Sequence, residues 1–89
     1  MKKHIFIMGR VQGVGFRYFT RKNAEALNVN GWVKNLPDGR VEAVFDGSEE
    51  NVKALIERCK KGPATSYVKN IEVQDYNKAD TYNGFEVRL

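Results

Sequence analysis

The segment GRVQGVGFR, Gly9 to Arg17, holds three glycines, two arginines and no acid. It follows the apolar run HIFIM and precedes a helical pattern. Glycine in such a place costs conformational entropy, so a particular backbone geometry must require it. One such geometry is an anion cradle. The first N–H groups of a helix have no intrahelical partner, and the helix dipole favours negative charge there. Consecutive N–H groups in a glycine-rich turn form a concave nest for phosphate oxygens. Arg17, at the helix start, is unfavourable for the dipole. Its planar guanidinium can grip two phosphate oxygens. The competing reading is a plain strand-to-helix turn with a surface arginine, and the glycines alone do not separate the two.

Other loop chemistries fail on spacing. Gly13 and Gly15 begin a dinucleotide fingerprint, but Tyr18 stands where its third glycine belongs. No glycine pair has Walker A spacing with a following lysine. The third strand, RVEAVFD, lacks the aromatic signature of an RNA-recognition module. The chain has no CxxC and a single histidine, His4, which reads as an ordinary strand residue. Cys59 lies on the apolar face of its helix, where burial is expected rather than reactivity. Asn35, two residues before Pro37, reads on its own as a turn residue.

The elements that must position these residues follow from periodicity. Lys3 to Gly9 reads as a strand. Arg17 to Asn28 reads as a helix, with Phe16, Thr20, Ala24 and Leu27 on one face. Val29 to Leu36 and Arg40 to Asp46 read as strands joined by the turn LPDG. Val41, Ala43 and Phe45 alternate on one face. Ser48 is a suitable N-cap for a second helix, with Val52, Leu55, Ile56 and Cys59 at helical spacing, and Gly62-Pro63 ends it. Val68 to Tyr76 and Gly84 to Leu89 complete five strands, the last with Phe85, Val87 and Leu89 on one face. This order, βαββαβ plus a short extra strand-like piece near the last turn, predicts an α+β fold, the ferredoxin-like βαββαβ sandwich: an antiparallel sheet with two helices on one face and the other face partly exposed.

At this point the motifs become specific. GRVQGVGFR resembles the acylphosphatase signature G-x-V-x-G-V-x-F-R, matching at Gly9, Val11, Gly13, Val14, Phe16 and Arg17. GWVKN, Gly31 to Asn35, resembles the family's second motif, G-x-V-x-N. LPDGRVE resembles its hairpin and third strand, and GPATSYV the stretch before its fourth strand. The likeness covers nearly the whole chain. It implies a hydrolase of acid anhydrides that converts an acyl phosphate to carboxylate and inorganic phosphate, with no metal, no cofactor and no covalent intermediate. It implies that Arg17 binds the phosphoryl group, and that the backbone N–H groups of Gln12, Gly13, Val14, Gly15, Phe16 and Arg17 complete the cradle. Asn35 would hold the attacking water.

The chemistry suits these residue types. Phosphoryl transfer depends mainly on positioning and charge stabilisation. The carboxylate of an acyl phosphate leaves without a general acid, and neither motif contains Asp or Glu. The Asn35 carbonyl oxygen can accept from water and aim it. Some family members pair the terminal carboxylate with the catalytic arginine, so Leu89 is a candidate partner for Arg17. Two further readings use the same residues: a module that binds phosphate, nucleotide or RNA without turnover, and a scaffold with a vestigial loop.

Composition sets outer limits. Eighty-nine residues, 42% apolar and 29% charged, suit one domain spanning 1–89. The net charge of +4 suits anionic ligands in general, from nucleic acid down to a single phosphate. It is spread along the chain, as a solvated surface rather than a nucleic-acid stripe. No segment is long and apolar enough to span a membrane, and MKKHIFIMGR reads as a first strand rather than a signal peptide. One cysteine points to the cytoplasm, and a monomer is the default expectation.

Overall fold

Alternation along the first strand sends Ile5 and Ile7 to one side, and both are fully buried. A computed structural model describes residues 1–89 and shows what covers them. The elements are β1 (Lys2–Arg10), α1 (Phe16–Ala26), β2 (Asn30–Asn35), β3 (Val41–Asp46), α2 (Glu49–Lys61), β4 (Tyr67–Asp75) and β5 (Phe85–Arg88). They form one five-stranded sheet in the order β4-β1-β3-β2-β5. The core lies between this sheet and the helices. It joins Ile5, Ile7, Val33, Val41, Ala43, Phe45 and Phe85 to Phe16, Ala24, Val52, Leu55, Ile56 and Cys59. The expected helix faces are therefore the buried ones. Thr20, also fully buried, bonds the Phe16 carbonyl at 2.9 Å.

The ferredoxin-like βαββαβ unit is formed by β1 to β4 with the two helices, and β5 is a fifth strand added at the β2 edge. β1 pairs antiparallel with β3 and β4, and β2 with β3, but β2 runs parallel to β5. Periodicity fixes which face a residue occupies, whereas strand direction depends on the route of the intervening chain. Leu89 also departs from expectation. β5 ends at Arg88, and Leu89 is fully exposed.

The face without helices is better covered than its sequence suggests. Val44 lies there, fully buried between its register partners His4 and Trp32. His4 packs against Phe6 at 4.6 Å and against Tyr76 at 5.4 Å between centroids, and its Nε2 lies 2.7 Å from a Glu42 carboxylate oxygen. Arg88 and Arg40 lie over the rings of Trp32 and Phe6 at 4.6 and 4.8 Å. Cation stems and rings thus shield that face, each cation keeping its head near water.

The two helices begin differently. At α2, Ser48 Oγ accepts from the Asn51 N–H at 3.2 Å, and Glu49 and Glu50 occupy the first turn. Arg58, Lys60 and Lys61 close its last turn, so both ends suit the dipole. α1 has no side-chain cap and no acid in its first turn. Its N-terminal donors remain unpaired.

Burial pushes the Cys59 thiol up from 9.0 to about 12. The folded protein keeps this proton at pH values where the unfolded chain loses it. The resulting stabilisation is complete below the unfolded value and is lost as pH rises toward the folded one, by about 1.4 kcal/mol per pH unit at most. Urea midpoints of wild type should therefore fall more steeply above pH 9.0 than those of Cys59→Ala. Parallel curves would contradict this account.

Candidate active site

Val11 and Phe16 anchor the ends of the glycine loop in the core, each 1% exposed, and Val14 packs against the same cluster. Between these anchors the backbone takes left-handed conformations, with φ of 72° at Gly13 and 80° at Gly15. A Cβ at either position would meet nothing within 4 Å, so glycine serves conformation here rather than space. The N–H groups of Gln12, Gly13, Val14 and Gly15 donate to no backbone acceptor. Those of Phe16 and Arg17 lie in the first helical turn, where no intrahelical acceptor is in reach. Six successive donors therefore remain available where the helix dipole is positive.

Side chains tie this loop to its surroundings at three points. The Gln12 amide donates to the Leu36 carbonyl at 2.7 Å and the Arg40 carbonyl at 3.0 Å, across the β2–β3 turn. Thr65 Oγ1 donates to the Val14 carbonyl at 2.9 Å. Arg17 Nη1 donates to the Arg88 carbonyl at 3.2 Å.

These ties bring Arg17 and Asn35 to one end of the sheet. Arg88 is the register partner of Lys34, which precedes Asn35. Gln12 holds the residue that follows Asn35. Asn35 shares the helix-side face with Val33, and its amide oxygen is buried without a hydrogen-bond partner. Such an acceptor costs about 1–3 kcal/mol when left unsatisfied, which makes it a place to look for function.

The suggested pairing of Arg17 with the Leu89 carboxylate is not formed. The guanidinium bonds the preceding carbonyl, that of Arg88, while Leu89 extends into solvent. The other anchors, Gln12 through its side chain and Thr65, are not distinguished by sequence reasoning. Only the likeness of GPATSYV to a family stretch points toward Thr65. The surface has two grooves, of about 570 and 350 Å3, and neither includes Arg17 or Asn35. No three of the His, Cys, Asp and Glu side chains cluster as metal ligands.

The sequence of residues 3–87 matches the family model described as acylphosphatase. The chain belongs to the acylphosphatase family. An acylphosphatase of Trichormus variabilis is 47% identical over 88 residues, 99% of this chain and 86% of the relative. A crystal structure of acylphosphatase from Bacillus subtilis superposes with a TM-score of 0.94 at 38% identity, covering 99% of this chain and 98% of that one. An acylphosphatase structure from Coxiella burnetii gives 0.92 at 39% identity, covering 98% and 90%. The chain hydrolyses acyl phosphates, acting on a small-molecule substrate. No helix is long and apolar enough to cross a membrane.

A side chain at position 15 would strain the left-handed backbone by about 1–2 kcal/mol. Gly15→Ala should therefore fold, with a melting temperature lower by roughly 4–8 °C per kcal/mol. It should also bind inorganic phosphate more weakly than wild type, because relief of the strain turns the adjoining N–H groups. Thermal melts and phosphate inhibition constants check both parts.

Proposed function

We propose that acyl phosphate hydrolysis in this protein uses the Gly9–Arg17 loop as the phosphoryl cradle, Arg17 as the phosphoryl-binding cation and Asn35 as the group that positions water. The observation that carries this reading is the run of unpartnered N–H groups from Gln12 to Gly15 at the uncapped end of α1. The phosphoryl oxygens accept from the N–H groups of Gln12, Gly13, Val14, Gly15, Phe16 and Arg17. The Arg17 guanidinium adds charge-assisted bonds, and the Arg88 carbonyl holds its other side. The Asn35 amide oxygen, an acceptor with no protein donor, accepts a hydrogen from water. The water oxygen attacks phosphorus, the bond from phosphorus to the acyl oxygen breaks, and the carboxylate departs with that electron pair. The water proton passes to the phosphate or to bulk solvent.

This chemistry asks nothing of a metal or a general acid. Neither surface groove includes Arg17 or Asn35, which favours tolerance of many acyl groups. Inorganic phosphate, sharing the cradle's chemistry, acts as product and competitive inhibitor. One chain supplies Arg17, Asn35 and the loop, so the monomer is the working unit. Small anions are the partners, not nucleic acid. Lys3, Lys34, Arg40, Lys53, Lys60 and Arg88 each have an acidic partner, which breaks up any continuous basic stripe. The lone buried thiol suits the cytoplasm.

Hydrolysis of benzoyl phosphate tests this reading. Wild type should be active and insensitive to EDTA, and Arg17→Ala and Asn35→Ala should each lose roughly 10²–10³ in rate while still folded. A wild type that binds phosphate without turnover would leave an anion-binding module instead. With no side chain acting as acid or base, the pH–rate profile near neutrality should be shallow. Two resolved ionisations bounding a steep bell would point to a proton-transferring side chain.

A further inference from the structure

We infer that Thr65, on the connection between α2 and β4, is a positioning residue that aims the Gly15 N–H into the phosphoryl cradle. The inference rests on the cradle reading above and concerns how one peptide of that cradle is held. Thr65 Oγ1 donates to the Val14 carbonyl at 2.9 Å. Every peptide bond in the chain is trans, so within the Val14–Gly15 unit the carbonyl and the following N–H point in opposite directions. A hydroxyl that holds the oxygen on one side fixes the N–H on the other. Nothing else in the protein bonds either group: the Gly15 N–H and the Val14 oxygen take no part in the backbone network.

This constraint matters because the segment is free to turn. Gly15, at φ 80°, has no Cβ to bar it from other conformations. Rotation of the Val14–Gly15 unit would withdraw a donor from the cradle and present a carbonyl oxygen to an anion in its place. Thr65 is itself held. The Pro63 carbonyl accepts from the Ser66 N–H at 2.9 Å and from Ser66 Oγ at 2.7 Å, which closes the turn that carries Thr65. Thr65 sits 51 residues from Val14 in sequence, so the tie also links the α2–β4 connection to the site.

Thr65→Val preserves shape and removes the hydroxyl, whereas Thr65→Ser keeps the donor. The measurements are inorganic phosphate inhibition constants, KM and kcat for benzoyl phosphate, urea midpoints, and the 15N–1H shift of the Gly15 amide with and without phosphate. Loss of one hydrogen bond to the loop should weaken phosphate binding roughly tenfold in Thr65→Val. The shift change of the Gly15 amide on phosphate addition should shrink with it. Thr65→Ser should return both to within about twofold of wild type, whatever small change either variant makes to the urea midpoint. Wild-type phosphate affinity in Thr65→Val, or weakening that Thr65→Ser does not rescue, overturns the assignment while the cradle stands. Failure of wild type to bind phosphate at all overturns the cradle and this assignment together.

Discussion

Backbone donors left without partners must be held apart by something other than the bonds they lack. This constraint governs the end of the sheet where β1 passes into α1. Ordinary helix starts resolve it with a capping side chain, as Ser48 does at α2. The start of α1 does the reverse, with Gly15 at the cap position and Arg17 in the first turn. The loop stays in place because its apolar residues pack on the core, because Gln12 and Arg17 donate to the β2–β3 turn and the end of β5, and because Thr65 of the α2–β4 connection donates to the Val14 carbonyl. The donors are thus kept free by satisfying the groups around them.

The fold and the loop are largely legible in the sequence, for physical reasons particular to each. Ile5 and Ile7, or Val41, Ala43 and Phe45, alternate because one sheet face is buried, and the chain cannot hide that pattern. Gly13 and Gly15 are legible because few residues other than glycine tolerate positive φ. The anchors of the loop are not legible from spacing. Gln12 reaches a carbonyl 24 residues away, Thr65 one 51 residues away and Arg17 one 71 residues away. Each takes a backbone oxygen, a group every residue offers, so no residue type marks the receiving end. The parallel pairing of β2 with β5 is hidden for a related reason: a four-residue strand shows its faces but not its neighbour.

The layer opposite the helices belongs to the same balance. Val44 needs cover, and short polar side chains would not provide it. His4, Phe6, Trp32 and Tyr76 supply apolar bulk, with Arg40 and Arg88 lying along the rings. Arg88 therefore serves both sides of the sheet end. Its guanidinium closes the aromatic layer, and its carbonyl steadies Arg17. A cation that looks like surface decoration in the sequence is a structural joint between a packed face and the glycine loop.

The parallel seam between β2 and β5 also bears on the order in which the molecule comes into being. A ribosome delivers β1, the loop, α1 and β2 long before it delivers β5. Until then Arg17 lacks the carbonyl of Arg88, and β2 stands as an open edge beside Asn35. The Gly9–Arg17 loop thus gains its ties in the order of synthesis: first the β2–β3 turn through Gln12, then Thr65, and last the carbonyl of Arg88. Closing so distant a contact is slow compared with forming a helix or hairpin. Docking of β5 both closes the open edge of β2 and completes the set of contacts around Arg17.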